Sequence, residues 1–314
     1  MMFVFLAVLA LVLSVGSAAW IAEHALRRTR RQTRYGRYAP WIHPRGRLAA
    51  PLNWVADSRL LRTLCERIPP VAFASDMRDV VYVNYVVDAR RIEPLIPPGL
   101  ELQRIGEAGD QAMLTFLSYR HGHLGPASLG RWRRLLPSPL QSNWRVYVHH
   151  RRTGALGVHF LSTAIDRTFH ALGARMTAEA LPMHVLGRAS LLTSEDGRID
   201  LLLGPGHGSA PDAEAHLAPL PEWPTDGPWR CAFSDYEQML AYCVPQDRAL
   251  SVQPWHGRIT RQEISLGIPL DVCVALTGPV HSAAAGAITG DAEPFSFLVP
   301  LVKFRFENEE HDPI

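Results

Sequence analysis

The run Val80-Val81-Tyr82-Val83-Asn84-Tyr85-Val86-Val87 constrains the fold more than any other stretch. β-Branched and aromatic side chains lose rotamer freedom against a helical turn and pack well on a pleated surface, so this run is a strand. Similar runs follow, and the pattern predicts strands over 100–105, 111–120, 143–150, 156–164, 185–193, 198–203, 249–254, 258–266 and 294–306. Helical signals are fewer. Asp57 is placed to cap a helix running to Ile68, ended by Pro69 and Pro70. Short helices are expected over Asp88–Leu95, 168–180 and 235–243, and the Pro- and Gly-rich stretch from Gly204 to Pro228 reads as a loop. Strands joined by short turns, with few helices, predict an α+β domain whose sheet is mostly antiparallel.

The N-terminus is of another kind. Phe3 to Ala22 carries no charge and, as a helix, spans about 30 Å, the thickness of a bilayer core. Trp20 stands at its end, and Arg27, Arg28, Arg30, Arg31, Arg34 and Arg37 follow. Basic residues flank the run on its C-terminal side only. The expectation is a single membrane span with the domain in the cytoplasm, and with lipid contacts through Phe3 to Ala22 and the arginines. Ser17-Ala18-Ala19 offers a rival reading as a cleaved signal, against which stands the missing basic n-region. The expected organisation is an anchor over 1–24, a basic linker with a short helix over 25–70, the main domain over 71–308 and a tail over 309–314.

Composition excludes some classes. At 47% hydrophobic and 20% charged the chain of 314 residues has material for a core, and a net charge of +2 argues against a nucleic-acid partner. Cys65, Cys231, Cys243 and Cys273 form no C-x-x-C pair, so they read as reduced, mostly buried residues. His121 and His123 would share a strand face, but without a third ligand nearby no metal is expected. Gly204, Gly206 and Gly208 lack the lysine of a P-loop and the spacing of a dinucleotide fingerprint, so the segment reads as a flexible loop and no cofactor is expected. There is no G-x-S-x-G elbow.

The most informative segment is Gln141 to His184. Alternation puts Asn143, Arg145 and Tyr147 on one strand face and Trp144, Val146 and Val148 on the other. An arginine in mid-strand either faces solvent or lines a cavity, where it can grip a carboxylate by two parallel hydrogen bonds.

The order of short motifs carries a resemblance. Ile96-Pro97-Pro98-Gly99-Leu100 is followed by Asn143-x-Arg145-x-Tyr147-Val148, then Gly157-Val158-His159-Phe160-Leu161-Ser162, then Ala174-Arg175 leading to Leu181-Pro182. With Tyr236-Glu237 and Gln253-Pro254-Trp255 this order, over residues 75–306, resembles the YqjF-type family of unknown function in the acetoacetate decarboxylase-like superfamily. The resemblance implies a β-rich barrel or cone with flanking helices and an internal pocket near Arg145 and Tyr147. Its decarboxylases carry Pro-Lys-Lys, whose first lysine forms a Schiff base; here the similar position reads Pro182-Met183-His184. A glutamate frequent two residues before the asparagine is Gln141. The lone lysine, Lys303, falls by alternation on a charged strand face.

The expected ligand-binding set is therefore Gln141, Asn143, Arg145, Tyr147, Arg175, Met183 and His184. The leading expectation is a domain that binds a small anionic or carbonyl-containing molecule without Schiff-base chemistry. One alternative is an enzyme using His184 or Tyr147 as acid or base. Another is a structural membrane-associated protein. A homo-oligomer is left open.

Overall fold

The structure is a computed structural model, and it describes residues 2–29, 41–44, 46–65, 67, 71–177, 181–252, 258–266 and 268–314. Gln253-Pro254-Trp255, Arg30, Arg31, Arg34 and Arg37 lie outside the described residues.

Helix α1 (Met2–Thr29) contains the uncharged run. Among the described residues no helix is long and apolar enough to cross a membrane, so the expected span has no structural support. α3 (Arg59–Cys65) stands where a helix from Asp57 to Ile68 was expected, and α2 (Ala49–Ala56) precedes it in a stretch expected to be linker. Asp57 is not the cap. Ser58 accepts from the Leu61 N–H at 3.2 Å, and the buried Glu23 carboxylate of α1 accepts from Ser58 Oγ, Arg59 N and Leu60 N at 2.8, 3.0 and 2.9 Å. A carboxylate at a helix N-terminus satisfies orphan donors and opposes the helix dipole, so α1 docks onto α3 through this contact.

The strands are β1 (Phe73–Asp88), β2 (Leu100–Leu102), β3 (Gln111–Arg120), β4 (Gly125–Pro126), β5 (Leu140–His150), β6 (Leu156–Ile165), β7 (Met183–Val185), β8 (Arg188–Thr193), β9 (Ile199–Gly204), β10 (Ala213–Pro219), β11 (Arg248–Val252), β12 (Arg258–Leu266), β13 (Val274–Thr277), β14 (Val280–His281) and β15 (Phe295–Pro313). The helices among and after them are α4 (Ala89–Ile92), α5 (Thr168–Thr177), α6 (Tyr236–Cys243) and α7 (Ala283–Thr289). The hydrogen-bonded order is β4-β1-β3-β5-β6-β11-β12-β15-β13-β10-β9-β8. It is mostly antiparallel; β6 pairs in parallel with β7 and β11. The order ends at β4 and β8, so the sheet as a whole is not closed, although β1 also pairs with β15.

Three differences from the sequence reading have local causes. β10 runs through the stretch read as a loop, because Ala213, Ala215 and Leu217 alternate inward between the flanking prolines and glycines. The loop of Gly204, Gly206 and Gly208 packs against the 41–44 segment: a Cβ on Gly208 would sit 2.9 Å from the Ile42 carbonyl oxygen. The expected tail is strand. β15 continues to Pro313, held to β12 by pairs such as His311 with Thr260 at 3.1 Å and Glu309 with Gln262 at 3.2 Å.

β5 is buried on both faces over nearly its whole length. One face packs Trp144, Val146 and Val148 against Leu201, Leu203, Ala215 and Leu217 of β9 and β10. The other face meets Tyr236, Met239, Leu240 and Cys243 of α6. Phe116 of β3 stacks on Trp144, ring centroids 4.4 Å apart. Removing the fully buried Phe116 ring leaves a cavity between the layers. Phe116→Ala is expected to lower unfolding free energy by about 3–5 kcal/mol, read by urea denaturation of the purified chain.

Candidate functional site

The face of β5 that carries Arg145 bears a continuous polar network. Ser75 Oγ lies 2.8 Å from His121 Nδ1, and His121 Nε2 lies 3.0 Å from Gln141 Oε1. Gln141 Nε2 donates to Asn143 Oδ1 at 2.8 Å, and Asn143 Nδ2 donates to the Tyr119 hydroxyl at 3.0 Å. The acceptor role of Gln141 Oε1 fixes the proton of His121 on Nε2 and leaves Nδ1 to accept from the Ser75 hydroxyl. His121 is therefore not part of a metal pair: it follows β3, buried, while His123 turns away with a φ of 56°. Among the described residues no group of three His, Cys, Asp or Glu is placed to hold a metal ion.

Further along the same face Arg145 is only 5% exposed. Its Nη2 donates to the Cys243 carbonyl at 2.8 Å, and its guanidinium carbon lies 5.5 and 5.6 Å from the ring centroids of Tyr82 and Tyr147. Tyr147 Oη is 3.1 Å from Thr115 Oγ1, which donates to Asn84 Oδ1 at 2.8 Å. Cys243 is the last residue of α6, so its carbonyl carries the partial negative charge of a helix C-terminus.

Among the described residues the titratable neighbours of Arg145 are held neutral. Burial raises the hydroxyl pKa of Tyr82, Tyr119 and Tyr147 well above the ordinary tyrosine value. Burial also pushes the Cys243 thiol up to about 12 and pulls His121 down to about 4. Among the described residues no carboxylate pairs with Arg145, and its Nε–H has no acceptor. The site is one buried positive charge in a neutral, hydrogen-bonding enclosure.

The other expected ligand-binding residues lie elsewhere. In register, Ser142, Ala164 and His184 are neighbours across β5, β6 and β7, so His184 faces the side of Trp144 and not that of Arg145. His184 Nδ1 lies 2.7 Å from Ser209 Oγ, and burial, with Arg175 second, pulls its pKa down to about 3. Met183 shares Arg145's face by register, but it is covered by Trp41 and Leu172. Arg175 is 0% exposed and donates to the Met183 carbonyl and to Asp57, both at 3.1 Å. These bonds fasten α5 to β7 and to the turn between α2 and α3, so Arg175 supports the fold. Lys303 is exposed on β15 opposite Asp76.

On the Trp144 side lies a cleft of about 510 Å³ lined by Leu95, Trp144, His159, Ser162, Ser209 and Ile288 among others. His159 Nδ1 sits 3.0 Å from the Leu250 carbonyl, to which it donates, so in the neutral ring Nε2 is an acceptor. Burial lowers its pKa, opposed by that bond. Among the described residues no charged side chain lines the cleft. The sequence reading missed His159 as a site residue. The signal was the pairing of β5 with β6, where a bulge between the Trp144–Ser162 and Arg145–Phe160 pairs sets which residues of β6 join Trp144.

His121 and His184 have depressed pKa values in the fold and ordinary ones near 6.5 when unfolded. Between these values the unfolded chain binds more protons, so stability falls as pH drops from about 6.5 toward 4. Thermal melts across that range are expected to show this slope, and His121→Gln is expected to flatten it.

The comparisons fit this geometry. A family profile described as "Uncharacterized conserved protein (COG2071)", family DUF2071, matches residues 74–265. Among curated proteins none matches the sequence. Of solved structures, the acetoacetate decarboxylase of Legionella pneumophila is similar at 14% identity and a TM-score of 0.51, over 78% of this chain and 88% of that one. An acetoacetate decarboxylase-like enzyme from Sphingomonas wittichii is 10% identical with a TM-score of 0.51, over 78% of this chain and 94% of that one. The enduracididine biosynthesis enzyme MppR, complexed with pyruvate, is 15% identical with a TM-score of 0.51, over 78% of this chain and 91% of that one. At such identities the likeness is one of fold. The chain belongs to the DUF2071 family, and its domain has the acetoacetate decarboxylase-like fold.

Proposed function

We propose that the domain binds a small molecule bearing a carboxylate, held by Arg145. The observation that carries this is the buried guanidinium without a carboxylate partner among the described residues. An uncompensated cation in a low-dielectric interior is costly. The Cys243 carbonyl offsets part of that cost, and a bound anion offsets more. Tyr119 accepts from Asn143 and keeps its own proton for a carbonyl on the same ligand, whereas the Tyr147 proton is engaged by Thr115, which spends its own on Asn84. The pyruvate complex of MppR supports a small oxo acid as the class. Schiff-base chemistry is not part of this reading, because Met183 stands at the similar position and the lone lysine is exposed on another strand.

A second reading, favoured by the 510 Å³ cleft, puts the same small oxo acid against His159 and Trp144 on the opposite face. Calorimetric titration with pyruvate separates the two. The first reading expects binding that Arg145→Lys weakens by about tenfold or more, because lysine lacks the two-pronged geometry, while His159→Phe leaves it intact. Binding lost in His159→Phe and retained in Arg145→Lys would support the second.

We also propose that α1 anchors the domain in a membrane. The uncharged run of Phe3 to Ala22 and the arginines after it support this. The full chain in a cell lysate is then expected to sediment with membranes, to resist extraction by 1 M salt, about the level that screens surface charge within a few ångströms, and to be released by detergent. Release by salt alone would count against the anchor.

A further inference from the structure

After β4 the chain makes two short 3-10 turns over Ala127–Leu135, joined at Gly130 where φ is 46°. Trp132 is 61% exposed and Leu135 79% exposed, and Leu129 is exposed with them. Their neighbours Arg131 and Arg134 are also exposed. The base of the segment is fixed. Ala127 N donates to the Ala72 carbonyl at 2.7 Å, and Arg133 Nη1 donates to the His123 carbonyl at 3.3 Å. Arg133 Nη2 also lies 3.9 Å from Asp76. Leu136 packs over Gly125, where a Cβ would clash with it. Apolar side chains are thus held outward by a rooted loop.

The patch extends beyond the loop. Phe73 pairs in register with Pro126, and both Val71 and Phe73 are exposed large apolar residues. Arg78 and Arg120, paired across β1 and β3, are exposed at the same end of the sheet. From His121 to Ile165 the sequence holds no acidic residue. The carboxylate of Asp76 lies within ion-pair distance of Arg133.

We infer that the Ala127–Leu135 segment is a docking surface for an anionic lipid bilayer. Tryptophan and leucine suit the boundary between head groups and acyl chains, and arginines beside them meet anionic head groups. A second copy of the chain would bring the same arginines against one another, which like charge disfavours. This inference stands apart from α1: it concerns a loop of the main domain, and it places one end of the sheet against the membrane whether or not α1 spans it.

The test uses the full chain reconstituted with vesicles of phosphatidylcholine and phosphatidylglycerol, with and without brominated acyl chains that quench nearby tryptophan. The fluorescence contributed by Trp132 is the difference between the wild type and Trp132→Phe; Trp20 is common to both. The expected result is roughly twofold or greater quenching of the Trp132 signal by brominated lipid, as for an interfacial aromatic. That quenching is expected to be lost in phosphatidylcholine alone and in the double variant Arg131→Gln, Arg134→Gln. Equal fluorescence differences with and without bromine would overturn the inference, as would a self-association in solution that Trp132→Phe abolishes.

Discussion

The central strand β5 has solvent on neither face, and most of the architecture follows from covering it twice. On one side the strands β9 and β10 lay an apolar surface on Trp144, Val146 and Val148. On the other, α6 closes over Tyr147 and the residues beside it. A strand covered on both faces can present chemistry on both, and this one does. Arg145 with its amides and phenols lies on the α6 side, and the cleft with His159 lies on the other. The two lie on opposite faces of the strand.

The Arg145 side concentrates the electrostatic cost of the fold. A charge that is nearly fully buried beside neutral phenols, amides and a neutral thiol contributes nothing to stability by ion pairing. It is held by a helix-terminal carbonyl and by the faces of Tyr82 and Tyr147. For the proposed carboxylate ligand such an arrangement would leave little ordering to be done on binding, because the donor geometry is already set. Arg175 makes the contrast. It is as buried as Arg145, yet it has Asp57 for a partner and spends its other bonds on the backbone. One arginine fastens elements together; the other is left with capacity to spare.

The N-terminal part joins the domain through a different device. Glu23 of α1 serves as an external cap for α3, and Arg62 of α3 donates to the Arg175 carbonyl of α5. A chain of polar contacts thus runs from α1 through α3 to α5 and on to β7. The first two links satisfy helix-end groups that would otherwise be orphaned, so the orientation of α1 on the domain is specified and not left to a loose tether.

Much of this was legible in the sequence. The strand runs showed the α+β class, because β-branched alternation is a local property. Alternation also placed Asn143, Arg145 and Tyr147 on one face, and the order of motifs gave the family. What sequence could not decide was which strands neighbour which, and in what register. His184 lies next to Met183 in the chain, but adjacent residues of a strand point to opposite sides, and only the pairing of β7 with β6 shows that His184 belongs with Trp144. The loop of 204–228 hid β10 because its inward alanines are too small to signal a strand until partners cover them. The sequence by itself determined the local elements and the presence of a mid-strand arginine, since both depend on neighbours in the chain. Tertiary structure alone decided that this arginine is buried without a carboxylate among the described residues, because that depends on α6 and β1, which lie far from it in sequence and meet it only in the fold.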